Sequence, residues 1–301
     1  MKVGGREIEI SNLDKVLFPD AGITKGDLVD YYRRIAKTML PHIENRPLTL
    51  HRFPDGIGAK GFYQQNASDY FPDWIVRATL PKENGKVEHC LCNNAATLVY
   101  LAGQACITPH SWLARAGRPD HPDRMIFDLD PSDDNFDLVR FGARTIHEVL
   151  DDVGLANFVM TTGSRGLHVM VPLDASADFD AVRNFARRVA EIAAAWEPDR
   201  LTMEQRKNKR GKRLYLDIMR NAYGQTAVTP YAVRAKPGAP VSMPLEWSEL
   251  DGKLRPDKYR IENVFRRLAR KKDPWRTMGR HAAALGAHEA DLSRLEQDKP
   301  A

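Results

Sequence analysis

Apolar residues recur at helical spacing along residues 24–40, where Leu28, Tyr31, Tyr32, Ile35 and Met39 share one face. Thr24 followed three positions later by Asp27 approximates a capping box, and Pro41 predicts where that helix stops. A β-prone run at 48–53 closes on Pro54, Asp55 and Gly56, which predicts a strand and a turn. Two further runs, 74–79 and 87–92, flank turn residues at 81–85 and predict a hairpin, and 95–104 predicts a short helix. The proline- and charge-rich stretch RPDHPDR reads as a loop and the best internal boundary. Beyond it, 124–129, 157–161, 167–171 and 213–218 predict strands, while 136–153, 178–196 and a basic stretch at 259–271 predict helices. This order describes an α+β fold, a sheet with helices packed on one face, and no repeat or low-complexity tract interrupts it.

With 301 residues and 43% hydrophobic content, the chain can bury one large core or two closely joined ones. No apolar stretch approaches the roughly 20 residues of a membrane span. The opening MKVGGREIEI lacks the apolar run of a secretory signal, so the expectation is a cytoplasmic protein with no membrane partner. The three cysteines, Cys90, Cys92 and Cys106, fit a reducing compartment. Together with His89 they lack the spacing and the partner pair of a zinc site, and read as buried or idle thiols. A net charge of +5 says little, but its distribution does: six cations crowd residues 206–213 and five crowd 266–272. Two such clusters flanking a carboxylate site favour phosphate binding.

The chemistry is most concentrated in MIFDLDPSDD, an apolar strand delivering Asp128 and Asp130 with one leucine between them. Alternate strand residues share a face, so the two carboxylates are expected to project together and to repel unless a hard divalent cation sits with them. RLYLDIM is a second apolar strand, with Asp217 directly after the basic run. A third carboxylate there would complete an oxygen-lined site for two metals roughly 3.5 to 4 Å apart, which suits phosphoryl transfer. Between them lies TTGSRGLHV, whose small residues, Ser164, Arg165 and His168 suit a triphosphate cradle. It is neither a G-x-x-x-x-G-K-[ST] phosphate loop nor a G-x-S-x-G nucleophile turn. A lone D-x-D or GSRG is commonplace; the ordered series of all three is not.

Taken together, FDLDP, TTGSRGLHV and YLDIMRN resemble the three motifs of the archaeo-eukaryotic primase superfamily. NLDKVLFPDAGITKGDLVDYY, RPLTLHRFPDGI, GFYQQN and HPDRMIFDLDP narrow the resemblance to the polymerase domain of bacterial DNA ligase D, across nearly the whole chain. The resemblance implies a primase-polymerase fold: an RRM-like catalytic sheet in residues 121–301 and an N-terminal β-rich lobe in 1–120, flanked by helices, with the nucleotide in the cleft between them. It implies that Asp128, Asp130 and Asp217 bind two divalent ions, manganese or magnesium, and that Ser164, Arg165 and His168 touch the incoming ribo- or deoxyribonucleotide. His110, Arg220 and Arg234 fall where further triphosphate contacts are expected. Phe62 matches the aromatic that stacks on the base, with Arg52 a weaker candidate for the same pocket. Asn12, Lys15 and Lys25 match the site for the 5′-phosphate across a DNA gap, the two lysines reading otherwise as plain surface residues.

Two positions depart from the family pattern: Arg165 and Gln65 stand where lysine is frequent. A planar guanidinium still binds phosphate. No ligase motif or phosphoesterase segment accompanies these motifs, so the chain reads as a stand-alone relative or an excised domain. The expected reaction is in-line attack of a primer 3′-hydroxyl on the α-phosphate of a nucleoside triphosphate, with ribonucleotides preferred, at gaps and broken ends in non-homologous end joining. Expected partners are DNA bearing a 5′-phosphate, a Ku-like protein and an ATP-dependent ligase at the bacterial nucleoid, and a DNA-bridged dimer is an arrangement the resemblance allows. The rivals are a two-metal nuclease, which has no need of the Ser-Arg-Gly-Leu-His cradle, and a non-catalytic RRM-like module, which should carry paired strand aromatics absent from this sequence. His121, Asp133 and Asp134 have no assigned role.

Overall fold

The computed structural model describes every residue except Glu83, Ser132 and positions 298–301. The tip of the predicted hairpin turn, one serine of DLDPSDD and the end of the 121–301 lobe therefore lie outside the described residues. The chain forms two units. The first comprises Met1–Pro119, Thr226–Met243 and Tyr259–Asp273; the second comprises Asp120–Gln225, Pro244–Lys258 and the chain from Pro274 onward. Among the described residues no helix is long and apolar enough to cross a membrane.

In the first unit the capping box is complete. Thr24 Oγ1 accepts from the Asp27 N–H at 3.2 Å and Asp27 Oδ2 accepts from the Thr24 N–H at 2.8 Å. The helix it starts, Lys25–Ile43, runs through Pro41 rather than ending there. The proline sits in the last turn, where its ring costs one donor, and the Glu44 N–H still reaches the Leu40 carbonyl. Leu28, Tyr32, Ile35 and Met39 are buried, and the helix packs against Ala95–Gly103. A four-stranded antiparallel sheet runs in the order Thr226–Val228, Cys106–Trp112, Leu48–Arg52, Phe62–Gln64. Cys106–Trp112 has no alternating pattern to betray it, because all but one of its residues are buried. Thr226–Val228 pairs with it and so returns a late segment to the N-terminal unit.

The hairpin runs Arg77–Lys82 and Gly85–Cys90, displaced toward its tip relative to the predicted strands. The basic helix is only Val264–Arg270. Tyr259 and Arg260 are spent on β-type pairing with Val241 and Pro240, which keeps them out of the helix.

In the second unit six strands lie in the order Leu201–Thr202, Leu214–Asp217, Arg124–Leu129, Leu167–Pro172, Phe158–Thr161, Met243–Leu245. The helices Phe136–Asp152 and Phe179–Trp196 pack on each other and on this sheet. Gly142 marks the closest approach, since a Cβ there would strike the Leu214 side chain. Leu214 and Leu216 thus face the helices, while Tyr215 and Asp217 point away. The mixed α+β expectation holds in both units.

Candidate active site

Register places three chemical side chains in a row. In the strand Arg124–Leu129, Asp128 is the direct partner of His168 on one neighbour and of Asp217 on the other. Opposed residues of a sheet share a face, so all three project from the side the helices leave open. Asp128 Oδ1 lies 3.3 Å from His168 Nε2, and its Oδ2 lies 3.3 Å from Arg220 Nε. Asp217 accepts from the Met219 N–H at 2.8 Å. Four residues beyond the strand Leu214–Asp217, Asn221 braces the row: its side chain accepts from the Ile126 N–H and donates to the Ile126 and Ile218 carbonyls, at 2.7–2.9 Å.

The two aspartates are electrostatically unequal. Burial alone would raise the Asp128 carboxyl, but the His168 ring and the Arg220 guanidinium outweigh it and hold it at about 2. Burial pushes the Asp217 carboxyl up, the Met219 N–H opposes this, and the nearby Asp128 charge adds to it. Two carboxylates in this relation are a donor pair that a hard divalent cation would relieve. Asp130 is partnered differently. It follows the last strand residue, Leu129, so the pleat no longer sets its direction, and Arg165 Nη2 takes its Oδ2 at 2.8 Å. Among the described residues no three His, Cys, Asp or Glu side chains converge as a ready-made metal cage. Asp128 and Asp217 are oxygen donors of the kind a divalent ion takes; Asp130 is held in an ion pair with Arg165.

The loop between Phe158–Thr161 and Leu167–Pro172 is organised by Thr162, whose hydroxyl accepts from the Ser164 and Gly166 N–H groups at 3.3 Å. The Thr162 N–H closes the turn onto the Gly166 carbonyl at 3.0 Å. Gly166 is required by space: a Cβ would run into the backbone carbonyl of Leu129. That approach presses the loop against the end of the carboxylate strand and sets Ser164, half-buried, and Arg165, exposed, beside Asp130. His168 is buried, with Nε2 turned to Asp128 and Nδ1 lacking any hydrogen-bond partner. A buried ring nitrogen without a partner is uncommon in native structures.

The first unit gathers the remaining candidates in two groups. Arg52 donates to the Gln104 carbonyl at 2.8 Å, to Gln64 Oε1 at 2.7 Å and to Tyr70 Oη at 2.8 Å, and lies over the Phe62 ring at 5.5 Å. Phe62 is 46% exposed, which excludes a core role. His110 meets the Tyr63 ring edge-on at 5.7 Å. His51, which no motif singled out, stacks on Tyr63 at 4.0 Å and lies 6.3 Å from His110. Asn12, Lys15 and Lys25 form the second group. The Lys15 N–H bonds to the Asn12 carbonyl and the Lys25 N–H to the Lys15 carbonyl. Lys15 Nζ pairs with Asp55 at 2.7 Å. Lys25 is not a plain surface lysine: it is 7% exposed, and burial, then the Lys15 charge, lowers its pKa. Lys25 Nζ donates to the Gly103 carbonyl at 3.4 Å.

The three cysteines are free and buried, and burial pushes the Cys90 thiol up to about 12, as idle thiols should be. Asp133 accepts from the Asn135 N–H just before the helix Phe136–Asp152.

Burial and the facing Arg234 charge push His51 down to about 4. As pH falls below the ordinary value of 6.5, the unfolded chain takes up this proton before the folded one. The contribution of neutral His51 to stability is complete above that value and lost as pH drops towards 4. The expected result is an NMR titration of the His51 ring with a midpoint about 4, and a fall in denaturation midpoint between pH 7 and 5 that shrinks in His51→Gln. A ring titrating near 6.5 would contradict this.

The chain is similar to known proteins. Residues 24–275 match the family described as LigD, primase-polymerase domain. The multifunctional non-homologous end joining DNA repair protein LigD of Mycobacterium tuberculosis is 33% identical over 279 residues, covering 89% of this chain and 36% of that protein. The bifunctional non-homologous end joining protein LigD of Bacillus subtilis is 29% identical over 271 residues, covering 89% of this chain and 44% of that protein. The chain thus spans well under half the length of these relatives. A solved structure, the polymerase domain from Mycobacterium tuberculosis Ligase D in complex with DNA, superposes with a TM-score of 0.87 at 31% identity, covering 92% of this chain and 99% of that one.

Proposed function

The chain belongs to the LigD primase-polymerase family, and from that premise we propose that it is a nucleotidyltransferase. On this reading it extends a primer 3′-hydroxyl at DNA gaps and broken ends during non-homologous end joining, with ribonucleotides preferred. The observation that carries the reading is the row of Asp128, His168 and Asp217 on three adjacent strands, with the Ser164–Arg165 turn pressed against its end.

Asp128 and Asp217, joined by Asp130, would hold divalent manganese or magnesium. When bound, such ions lower the pKa of the attacking hydroxyl and neutralise the leaving pyrophosphate. The chain's own residues do the rest. Ser164 and Arg165 bind phosphate oxygens, and Arg165 can do so because its present partner, Asp130, is exposed and can exchange it for a ligand. His168, its ring fixed by the contact with Asp128, is assigned to the incoming nucleotide. Arg220 steadies Asp128 and adds positive charge at the same face. In the first unit, His110 and Arg234 are assigned to the triphosphate, Phe62 to the base with Arg52 in the same pocket, and Asn12, Lys15 and Lys25 to a DNA 5′-phosphate. A Ku-like protein and an ATP-dependent ligase are the proposed partners, and two copies bridging one break is an arrangement consistent with that role.

The test is primer extension on gapped DNA with a 5′-phosphate, comparing manganese with magnesium and ribo- with deoxyribonucleotides. The expected result is metal-dependent addition, abolished by chelation and faster with ribonucleotides. Strand degradation would instead favour a nuclease, and tight DNA binding with no addition under any metal would leave a binding module.

A further inference from the structure

In the first unit, Thr229, Pro230, Tyr231 and Ala232 form a tight turn closed by the Ala232 N–H on the Thr229 carbonyl at 3.2 Å. Proline in the second place and a positive φ in the third are the pattern of a type II turn, whose third residue is ordinarily glycine. Here it is tyrosine, with φ 66° and a ring that is completely buried. A bulky residue in the left-handed region persists only where its surroundings over-determine it, and such residues cluster at functional sites.

The surroundings are specific. Tyr231 Oη donates to Asp273 Oδ1 at 2.8 Å, and Asp273 Oδ2 lies 2.7 Å from His42 Nε2, so one largely buried carboxylate joins the strap, residues 229–234, to the helix Lys25–Ile43. Tyr31 Oη donates to the Tyr231 carbonyl at 2.9 Å. The Val233 N–H donates to Tyr32 Oη at 3.1 Å, and Thr108 Oγ1 donates to the Val233 carbonyl at 2.6 Å. The Thr229 hydroxyl donates to the Pro109 carbonyl at 3.1 Å, next to His110. The strap ends at Arg234, whose N–H is fixed on the Pro240 carbonyl at 2.7 Å and whose charge reaches His51. The segment so anchored ends at Arg234, which is partly exposed and whose charge acts on His51.

We propose that Tyr231, clamped by the Asp273 carboxylate and through it by His42, is a positioning residue for nucleotide binding, fixing the strap that aims Arg234 at the triphosphate. The inference rests on the reading of Arg234 as a triphosphate contact. The strained turn supplies a direction for the arginine that a glycine turn would leave loose, and the shared carboxylate is what holds the strain in place.

Steady-state extension of a gapped primer with varied ribonucleotide tests this in the intact chain. Tyr231→Phe removes one oxygen and keeps the packed ring, so it should fold. It is expected to raise the nucleotide KM roughly tenfold with kcat held within about twofold, and that effect should vanish when Arg234→Ala is already present. Asp273→Asn, which keeps an acceptor for the tyrosine, should show a smaller shift of the same kind. An unchanged KM in Tyr231→Phe, with Arg234→Ala itself raising KM, would overturn the positioning role alone. So would a Tyr231→Phe effect that persists undiminished in the Arg234→Ala background. An Arg234→Ala variant with the wild-type KM would instead bring down the reading beneath it, and the proposal with it.

Discussion

Asp128→Asn is expected to lower nucleotide addition at least about a thousandfold, because a lost metal-ligand charge forfeits several kcal/mol of transition-state stabilisation. The fold should survive. Asn is isosteric, the repulsion with Asp217 disappears, and Arg220, 43% exposed, is left solvated rather than stranded as a buried charge. Single-turnover extension beside a thermal melt separates the two: the rate should collapse while the protein stays folded, its melting temperature lowered by no more than several degrees for the lost contacts with His168 and Arg220. Substantial activity in Asp128→Asn would remove this carboxylate from the chemistry. Loss of both would mean that Asp128 serves the fold.

The reverse pattern is expected at Asn221. The strand Leu214–Asp217 stops pairing with its neighbour at Asp128, and from there inward the fully buried Asn221 amide takes over both hydrogen-bonding groups of Ile126. Asn221→Ala strands a buried N–H and a buried carbonyl, each costing about 1–3 kcal/mol. A loss of roughly 3 kcal/mol or more should lower the melting temperature by about 6–12 °C. Asn221→Asp is the control: it still accepts from the Ile126 N–H but cannot donate to the carbonyl, so it too should destabilise. A melting temperature unmoved by Asn221→Ala would show that solvent replaces the amide without cost.

The juxtaposition of Asp128, His168 and Asp217 was legible in the sequence because each lies on a short apolar run with turn residues at its ends, so strand and face follow from local pattern. The direction of Asp130 is not legible by the same argument: alternation needs the strand to continue, and it ends at Leu129, where Arg165 pairs with the carboxylate. The strand Cys106–Trp112 was missed because burial on both sides erases periodicity. Nothing local marked His51, whose character comes from Tyr63, His110 and Arg234, partners distant in sequence. Pro41 misled because a proline in a final turn removes a single bond, which the following residues do not need.

Because Thr226–Val228 completes the sheet begun by Leu48–Arg52 and Cys106–Trp112, neither unit corresponds to a continuous stretch of polypeptide. A fragment cut after Pro119 would retain its helices yet present one edge of an almost wholly buried strand to water, a template for pairing with other chains. Such halves should aggregate when expressed singly. During synthesis the N-terminal half must likewise wait, with that edge unsatisfied, until more than a hundred further residues have emerged, a number set by the distance from Trp112 to Thr226.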